Sequence, residues 1–285
     1  TAQTQVLTVK PRLVTIPTVQ GTYTYNGSEQ ELVLNHVENW QKYYTLSGDL
    51  KGKEAKNYTA YATLIDGVET RWMDGSKDVQ TLTWTIAPND NPLTLVPAFE
   101  GTITYDGSAK TPAYTVKSGE KILTAGTDYE LSYSNNTNAG TATVTATGLD
   151  NYAGATGSAE FTIAKAAVAL TWSGADTRTY DGKASNVTAS VTNKIGNDDV
   201  TVTVTGGDAV NAGTYTAAVA GLAGAKAGNY QLPEEGLTQS YTINRAALTI
   251  ASVAVEGKTY DGTTDAKVTS VTFNGLQNGE ELVSG

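Results

Sequence analysis

Cysteine is absent from this chain of 285 residues, and histidine, methionine and phenylalanine are scarce, at one, one and three residues. Without cysteine no disulfide can stabilise a small domain, and a zinc site built from Cys and His is excluded by count. A thiol-free chain fits a cytosolic protein and also a bacterial surface protein. The single histidine, His36, is by itself no evidence for a Ser-His-Asp triad.

Long apolar runs and basic clusters are also missing. No stretch of 18 apolar residues occurs, so we predict no membrane span. The formal net charge is −10, from 29 acidic and 19 basic residues, and an acidic surface repels a phosphate backbone. We therefore expect no nucleic-acid partner. No motif indicates catalysis, so we expect no enzyme, no catalytic residue and no cofactor. Glycoside hydrolysis needs two carboxylates, and the chain has two adjacent pairs, Glu234-Glu235 and Glu280-Glu281. Adjacent side chains on a strand face opposite ways, so we interpret both pairs as solvated charge.

A Tyr-(Asp/Asn)-Gly motif recurs at regular spacing and organises the chain. Its tyrosines lie 80, 75 and 80 residues apart, a period that indicates a tandem array of small domains. Asn-Gly and Asp-Gly accept positive φ at little cost, so each motif predicts a tight turn. The four copies are Tyr25-Asn26-Gly27, Tyr105-Asp106-Gly107, Tyr180-Asp181-Gly182 and Tyr260-Asp261-Gly262.

Strand patterns surround each turn. An opening strand with apolar-Thr-apolar alternation is predicted at Val14–Ile16, Leu93–Leu95, Leu170–Trp172 and Leu248–Ile250. A second hairpin is predicted at Ala55–Ala60, Ala139–Val144 and Ala212–Ala217, and a closing strand at Trp84–Ile86, Phe161–Ile163 and Tyr241–Ile243. In the second unit, Thr141, Thr143, Thr145 and Thr147 should face outward. The longest helix candidate, residues 32–44, lacks sustained 3.6 periodicity, so no convincing helix is predicted.

These patterns predict a mainly β chain, a tandem array of small β-grasp-like or immunoglobulin-like domains that forms an elongated rod. The predicted segments are 1–10 as the closing strand of a preceding repeat, including Leu7-Thr8-Val9, then repeat 1 (11–89), repeat 2 (90–165), repeat 3 (166–246) and a partial repeat 4 (247–285). No Gly/Ser-rich linker separates the repeats, so we expect little hinge motion.

The aligned motifs resemble the MBG and YDG repeats of bacterial surface proteins. The MBG-like residues are Tyr180-Asp181-Gly182, Asn211 through Thr216, Gly228-Asn229-Tyr230 and Tyr241-Thr242-Ile243, and Lys258 through Thr264 is similar to the start of a YDG unit. A related Gram-positive repeat is similar to Asp128-Tyr129 and Asn135 through Ala142. Repeat 1 departs most from the pattern. The resemblance implies modules of adhesin-like cell-surface proteins and no catalytic residue.

The tryptophans provide the one candidate for ligand contact. Trp84 and Trp172 align with apolar residues of other repeats and are expected in the core, whereas Trp40 and Trp72 have no counterpart. An exposed Arg71-Trp72 pair could contact sugar or protein, since both residue types are enriched at binding hot spots. The alternative is that Trp72 covers the edge of its own small core.

Two further kinds of site stay open as alternatives. The oxygen-rich segments Asn89-Asp90-Asn91 and Asn197-Asp198-Asp199 could bind calcium, although neither has a full set of ligand spacings and turns favour these residues anyway. Lys10, Lys165 and Lys183 lie near strands where a Lys-to-Asn isopeptide bond could form.

The favoured hypothesis is a structural stalk or spacer segment of an adhesin-like bacterial protein, extracellular at the cell surface or secreted. Its partners would be the neighbouring repeats of the same chain, and we expect a monomer. The alternative is a binding module that contacts host glycan or protein through the divergent first repeat.

Overall fold

The structure is a computed structural model, and it describes residues 9–65 and 69–282. The fold divides into two compact units. Unit 1 comprises Thr1–Gly101, Thr111–Asn136 and Ala142–Phe161, and unit 2 comprises Thr102–Lys110, Thr137–Thr141 and Thr162–Gly285. The described residues form strands and three short 3-10 helices and contain no α-helix, which confirms the prediction of a mainly β chain.

The strands are short and numerous. Repeat 1 contains β1 (Arg12–Val14), β2 (Thr18–Val19), β3 (Tyr23–Thr24), β4 (Gln30–Glu31), β5 (Leu34–Asn35), η1 (Trp40–Lys42), β6 (Tyr44–Gly48), β7 (Lys51–Gly52), β8 (Asn57–Leu64), β9 (Thr70–Trp72) and β10 (Gln80–Ala87). Repeat 2 contains β11 (Leu93–Pro97), β12 (Ile103–Thr104), β13 (Tyr114–Ser118), β14 (Lys121–Ile122), β15 (Tyr129–Ser134), β16 (Gly140–Gly148), η2 (Asp150–Tyr152) and β17 (Thr156–Ala164).

The remaining elements belong to repeats 3 and 4. Repeat 3 contains β18 (Ala166–Ala167), β19 (Leu170–Ser173), β20 (Arg178–Thr179), β21 (Thr188–Val191), β22 (Thr201–Thr205), β23 (Gly213–Ala223), η3 (Ala227–Asn229), β24 (Tyr230–Gln231) and β25 (Thr238–Asn244). Partial repeat 4 contains β26 (Thr249–Val255) and β27 (Val268–Asn274).

One four-stranded sheet recurs with the same strand order. The orders are β3-β10-β8-β6, β12-β17-β16-β15 and β20-β25-β23-β22. In each sheet the short strand before the Tyr-(Asp/Asn)-Gly turn pairs in parallel with the closing strand, as Tyr23 does with Ile86 and Arg178 with Ile243. A smaller antiparallel sheet holds the opening strand, as in β11–β13 and β19–β21. The parallel pairing was not predicted.

Alternation along the strands places the core as predicted. In β16 the side chains of Ala142, Val144 and Ala146 are fully buried, and the threonines between them are half-buried or exposed. The closing-strand isoleucines Ile86 and Ile163 are buried at 0% and 1% exposure. Because every second residue faces the core, these short strands bury a continuous apolar face.

The Tyr-(Asp/Asn)-Gly turns share one geometry. Each glycine has positive φ, from 73° to 82°. In each turn the side-chain oxygen of the Asn or Asp accepts a hydrogen bond from the backbone N–H two residues on, as from Ser28 to Asn26 at 2.9 Å and from Ser108 to Asp106 at 2.9 Å. Lys183 and Thr263 donate in the same way to Asp181 and Asp261, both at 3.0 Å. These are Asx turns, in which a side chain takes the place of a backbone acceptor.

Several predicted elements differ in detail. The strand predicted at Val14–Ile16 ends at Val14, and the strand predicted at Leu248–Ile250 begins at Thr249. Leu7 and Thr8 of the predicted preceding strand lie outside the described residues. Trp84 is buried, as expected, whereas Trp172 is half-buried and its indole N–H donates to Gly236 O at 3.0 Å.

The β26–β27 ribbon differs from its counterparts. Ile250, Val253 and Val255 are exposed by half or more, whereas Leu93 and Val116 of the β11–β13 sheet are buried. Among the described residues, no third strand pairs with the ribbon. Its apolar side chains are therefore left open to solvent.

We expect Ile163→Asp to unfold the sheet that contains β17. Ile163 is 1% exposed and lies opposite Ile103, and burying an unpaired carboxylate costs several kcal/mol, comparable to the whole stability of a small domain. Chemical denaturation monitored by circular dichroism measures the loss. Thr162→Asp, one residue earlier on the exposed face, should unfold like the parent chain. Equal stability of the two variants would contradict the strand register.

Candidate functional site

A 3-10 turn of repeat 2 docks onto repeat 1 within unit 1. Helix η2 presents Asn151, whose Oδ1 accepts a hydrogen bond from the backbone N–H of Ala55 at 2.7 Å. The Asn151 amide N–H donates to the Glu54 carboxylate, and its backbone carbonyl accepts from the N–H of Asn89 at 2.8 Å. One asparagine thus ties together the start of the second hairpin and the segment that links the two repeats.

A tyrosine pair lies beside that asparagine. The rings of Tyr25, from the turn of repeat 1, and Tyr152 meet edge to face with centroids 5.5 Å apart. Lys121 Nζ lies 5.3 Å and 5.2 Å from the two ring centroids and 3.4 Å from Tyr25 Oη. A hydrogen bond with Tyr152 is the main cause that raises the pKa of Lys121, so its ammonium stays charged over both rings. We call Tyr25, Ala55, Lys121, Asn151 and Tyr152 the first joint.

The same arrangement recurs in unit 2 between residues of repeats 2 and 3. Asn229, at the end of η3, accepts at Oδ1 from the backbone N–H of Ala139 at 2.9 Å, and it is only 6% exposed. Its amide N–H donates to Asn138 Oδ1 at 3.1 Å. Tyr105, from the turn of repeat 2, meets Tyr230 edge to face at 5.7 Å. The hydrogen bond and the ring geometry match the first joint closely.

A carboxylate stands in the second joint where the first has an ammonium. Asp198 Oδ2 accepts from the hydroxyls of Tyr105 and Tyr230 at 2.8 Å and 2.7 Å. Hydrogen bonds from Tyr230 and then Tyr105 lower the pKa of Asp198. Burial, followed by the Asp198 carboxylate, raises the pKa of both tyrosines. We call Tyr105, Ala139, Asp198, Asn229 and Tyr230 the second joint.

The sequence held a signal for these joints. Asn-Tyr at 151–152 and again at 229–230 is a repeated pair, and Gly228-Asn229-Tyr230 was part of the resemblance to surface repeats. Its role in docking was missed, because the asparagine and the N–H that it binds are 96 and 90 residues apart in the two joints.

A second feature, the aromatic cleft, is confined to repeat 1 among the described residues. The cleft has a volume of about 500 Å³ and is lined by Glu31, His36, Trp40, Gln41, Tyr44 and Thr45 together with three leucines. The His36 ring stacks on Trp40 with centroids 4.5 Å apart and planes 10° apart, and Trp40 stacks on Tyr44 at 5.1 Å. The residues come from β4, η1 and β6, from the segment between β4 and η1, and from Leu50 between β6 and β7.

Local backbone geometry brings these rings together. Asn39 adopts a left-handed φ of 55° and starts η1, the only helical turn within the candidate segment 32–44 among its described residues. His36 Nδ1 lies 2.8 Å from Tyr44 Oη. Burial raises the pKa of Tyr44 to about 12 and lowers the pKa of His36, so both side chains are uncharged at neutral pH. The cleft therefore has an uncharged aromatic wall.

Arg71 and Trp72 lie elsewhere in repeat 1. Trp72 is fully buried in β9, packs against Tyr44 with the ring planes tilted by 52°, and donates its indole N–H to Asp78 O at 2.8 Å. Arg71 is exposed and donates to Gly75 O at 3.1 Å. The Trp72 ring has no face open to a ligand, and this placement matches the alternative in which Trp72 covers its own core.

The oxygen-rich segments are engaged in turns and in the second joint. Asn89 Oδ1 accepts from the N–H of Asn91, and Asp199 accepts from the N–H of Ala225. In the described ranges 9–65 and 69–282, no three acidic or histidine side chains are grouped so that they could hold a metal ion. Within the same ranges, none of the helices is long and apolar enough to cross a membrane.

Comparisons with known proteins identify no family for this chain. No family model and no curated protein matches this chain. One solved structure, the Bacteroides ovatus mixed-linkage glucan utilization locus protein SGBP-B in complex with a mixed-linkage heptasaccharide, aligns over 91% of this chain and 75% of its own, with 12% identity and a TM-score of 0.17. At that TM-score the likeness supports no conclusion about fold or function.

We expect Asn229→Ala to destabilise the chain by about 1–3 kcal/mol, because the N–H of Ala139 then loses its buried acceptor. Asn151→Ala should do the same in the first joint. Thermal unfolding by calorimetry measures both. The control is Asn186→Ala, an exposed asparagine of repeat 3, which should leave the unfolding midpoint unchanged. If Asn229→Ala behaves like this control, the joint hydrogen bond does not stabilise the fold.

The second joint should weaken in acid. The pKa of Asp198 is lower in the folded than in the unfolded chain, so its contribution to stability is present above the unfolded pKa and is lost as pH falls through the folded pKa. Asp198→Asn should therefore shrink the difference in unfolding midpoint between pH 7 and pH 3. Asp208→Asn, at an exposed carboxylate of the same repeat, serves as the control and should leave that difference intact. An unchanged difference in Asp198→Asn would contradict the assigned role.

Proposed function

We propose that this chain is a structural spacer of an extracellular bacterial surface protein, built from MBG/YDG-type repeats. The observation that carries the proposal is the joint that occurs twice with the same parts. In each joint an asparagine on a 3-10 turn accepts from a backbone N–H of the preceding repeat, and a tyrosine next to it packs on the turn tyrosine of that repeat. A spacer needs such contacts, because they transmit orientation from one module to the next.

The chemistry of the joints suits a passive mechanical role. The asparagine amide and the tyrosine pair are neutral, so the contacts need neither a metal nor a ligand to form. The segments that link the repeats are short, so few residues separate one sheet from the next. On this proposal the repeats are modules of an elongated array, β-grasp-like or immunoglobulin-like, and the chain is a monomer without catalytic activity.

A binding role for the first repeat is the second candidate function. The aromatic cleft favours it, because repeat 1 supplies a concave surface with stacked rings and polar side chains at its rim. This candidate and the spacer are compatible, since a spacer can carry a binding module at one repeat.

We expect small-angle scattering to show an elongated particle with a maximum dimension on the order of 100 Å, because compact domains of this size are about 30 Å across. Calcium should not change the curve. A variant with Tyr105→Ala and Asn229→Ala should give a broader distribution of distances, because its second joint loses both contacts. Asn186→Ala is again the control.

A compact particle, or one whose dimensions depend on calcium, would contradict the spacer. The same holds if the double variant scatters like the parent chain while calorimetry confirms that it is folded. In that case the joints would not set the orientation of the repeats.

A further inference from the structure

The aromatic cleft of repeat 1 combines a wall of stacked aromatic rings with a polar rim. Its wall is formed by the stacked rings of His36, which is exposed, and Trp40, which is half-buried, and Trp40 in turn packs on the fully buried Tyr44. Its rim carries the exposed side chains of Glu31 and Gln41. A volume of about 500 Å³ falls within the range of about 300–1,000 Å³ that small-ligand sites occupy.

The rim groups are free to bind a ligand. In the part of the chain that the structure describes, neither the Glu31 carboxylate nor the Gln41 amide makes a side-chain hydrogen bond. Together they offer carboxylate and carbonyl oxygens as acceptors and an amide as donor. A ligand with many hydroxyl groups can pair with such a mixture, because each hydroxyl both donates and accepts.

The wall selects a flat, uncharged ligand surface. Aromatic faces carry partial negative charge and attract the weakly positive hydrogens of C–H groups. A pyranose ring presents such C–H groups on one face and hydroxyls around its edge. The stacked rings of His36 and Trp40 and the rim of Glu31 and Gln41 match these two parts of a sugar.

Charge excludes the acidic sugars. His36 and Tyr44 are neutral at physiological pH, and among the lining residues only Glu31 carries a charge. The chain as a whole has a formal net charge of −10. A uronate or sulfate group placed here would meet repulsion without a facing cation among the lining residues.

We propose that the aromatic cleft binds a neutral hexose unit of a glycan, with the exposed side of the His36–Trp40 stack as the platform and Glu31 and Gln41 as hydrogen-bonding partners. The proposal rests on the second candidate function, the binding role of repeat 1, and names its ligand class. It is independent of the spacer.

Affinity gel electrophoresis of the whole chain tests it. The probes are neutral polysaccharides, namely a β-glucan, an α-glucan and a galactomannan, with polygalacturonate as the acidic comparison. We expect at least one neutral probe to retard the protein and the acidic one to leave its migration unchanged. Trp40→Ala should weaken binding roughly tenfold or more, as loss of an aromatic hot spot does.

Two further variants separate binding from folding. Gln41→Ala changes an exposed side chain without a packing role and should weaken binding while the circular dichroism spectrum stays the same. Tyr61→Ala removes an aromatic ring of repeat 1 that is 40% exposed and lies outside the cleft, and it should bind like the parent chain. If Trp40→Ala is misfolded, Gln41→Ala decides.

Three results would overturn the proposal: no neutral probe retards the protein, polygalacturonate binds as well as the neutral probes, or neither cleft variant weakens binding. The broader binding role of repeat 1 is tested separately on an array of extracellular matrix proteins. Labelling by the parent chain and not by Trp40→Ala, with no retardation by sugars, would keep that role and reject the sugar.

Discussion

The fold depends on satisfying a backbone N–H that lies at the boundary between two repeats. In both joints this donor is the N–H of an alanine that begins the second hairpin, and a side-chain amide from the next repeat accepts its hydrogen bond. A buried N–H without an acceptor costs free energy comparable to a lost hydrogen bond. Each of these asparagines therefore supplies a hydrogen-bond acceptor that the preceding repeat lacks. The contact stabilises a small sheet that has no disulfide.

The two joints show which parts of the contact are fixed and which can vary. Asparagine and the edge-to-face tyrosine pair are common to both, whereas the third partner is the ammonium of Lys121 in one and the carboxylate of Asp198 in the other. Tyrosine allows this exchange because its ring attracts a cation and its hydroxyl donates to an anion. Opposite charges can thus serve the same position without a change in the fold.

Much of the fold could be predicted from the sequence, because strands and tight turns leave local patterns. The alternation around Val144 and the positive φ of Gly107 follow from neighbouring residues alone. The parallel pairing of Tyr23 with Ile86, the joints and the aromatic cleft could not be predicted, because they unite residues far apart or depend on one left-handed residue, Asn39. Neither Trp40 nor Trp72 has a counterpart in the other repeats, so composition could not tell the buried tryptophan from the half-buried one.

The Asx turns have a consequence for how the chain ages. Asn-Gly is the dipeptide most prone to lose its side-chain amide, because glycine leaves the following backbone nitrogen free to attack. Asn26-Gly27 is the one turn of the four with asparagine, and the others already have aspartate at that position. That attack releases ammonia and closes a succinimide ring, which water opens to aspartate or, more often, to isoaspartate. The aspartate product keeps an oxygen that can accept from Ser28, as in the other three turns, whereas isoaspartate lengthens the turn backbone by one methylene.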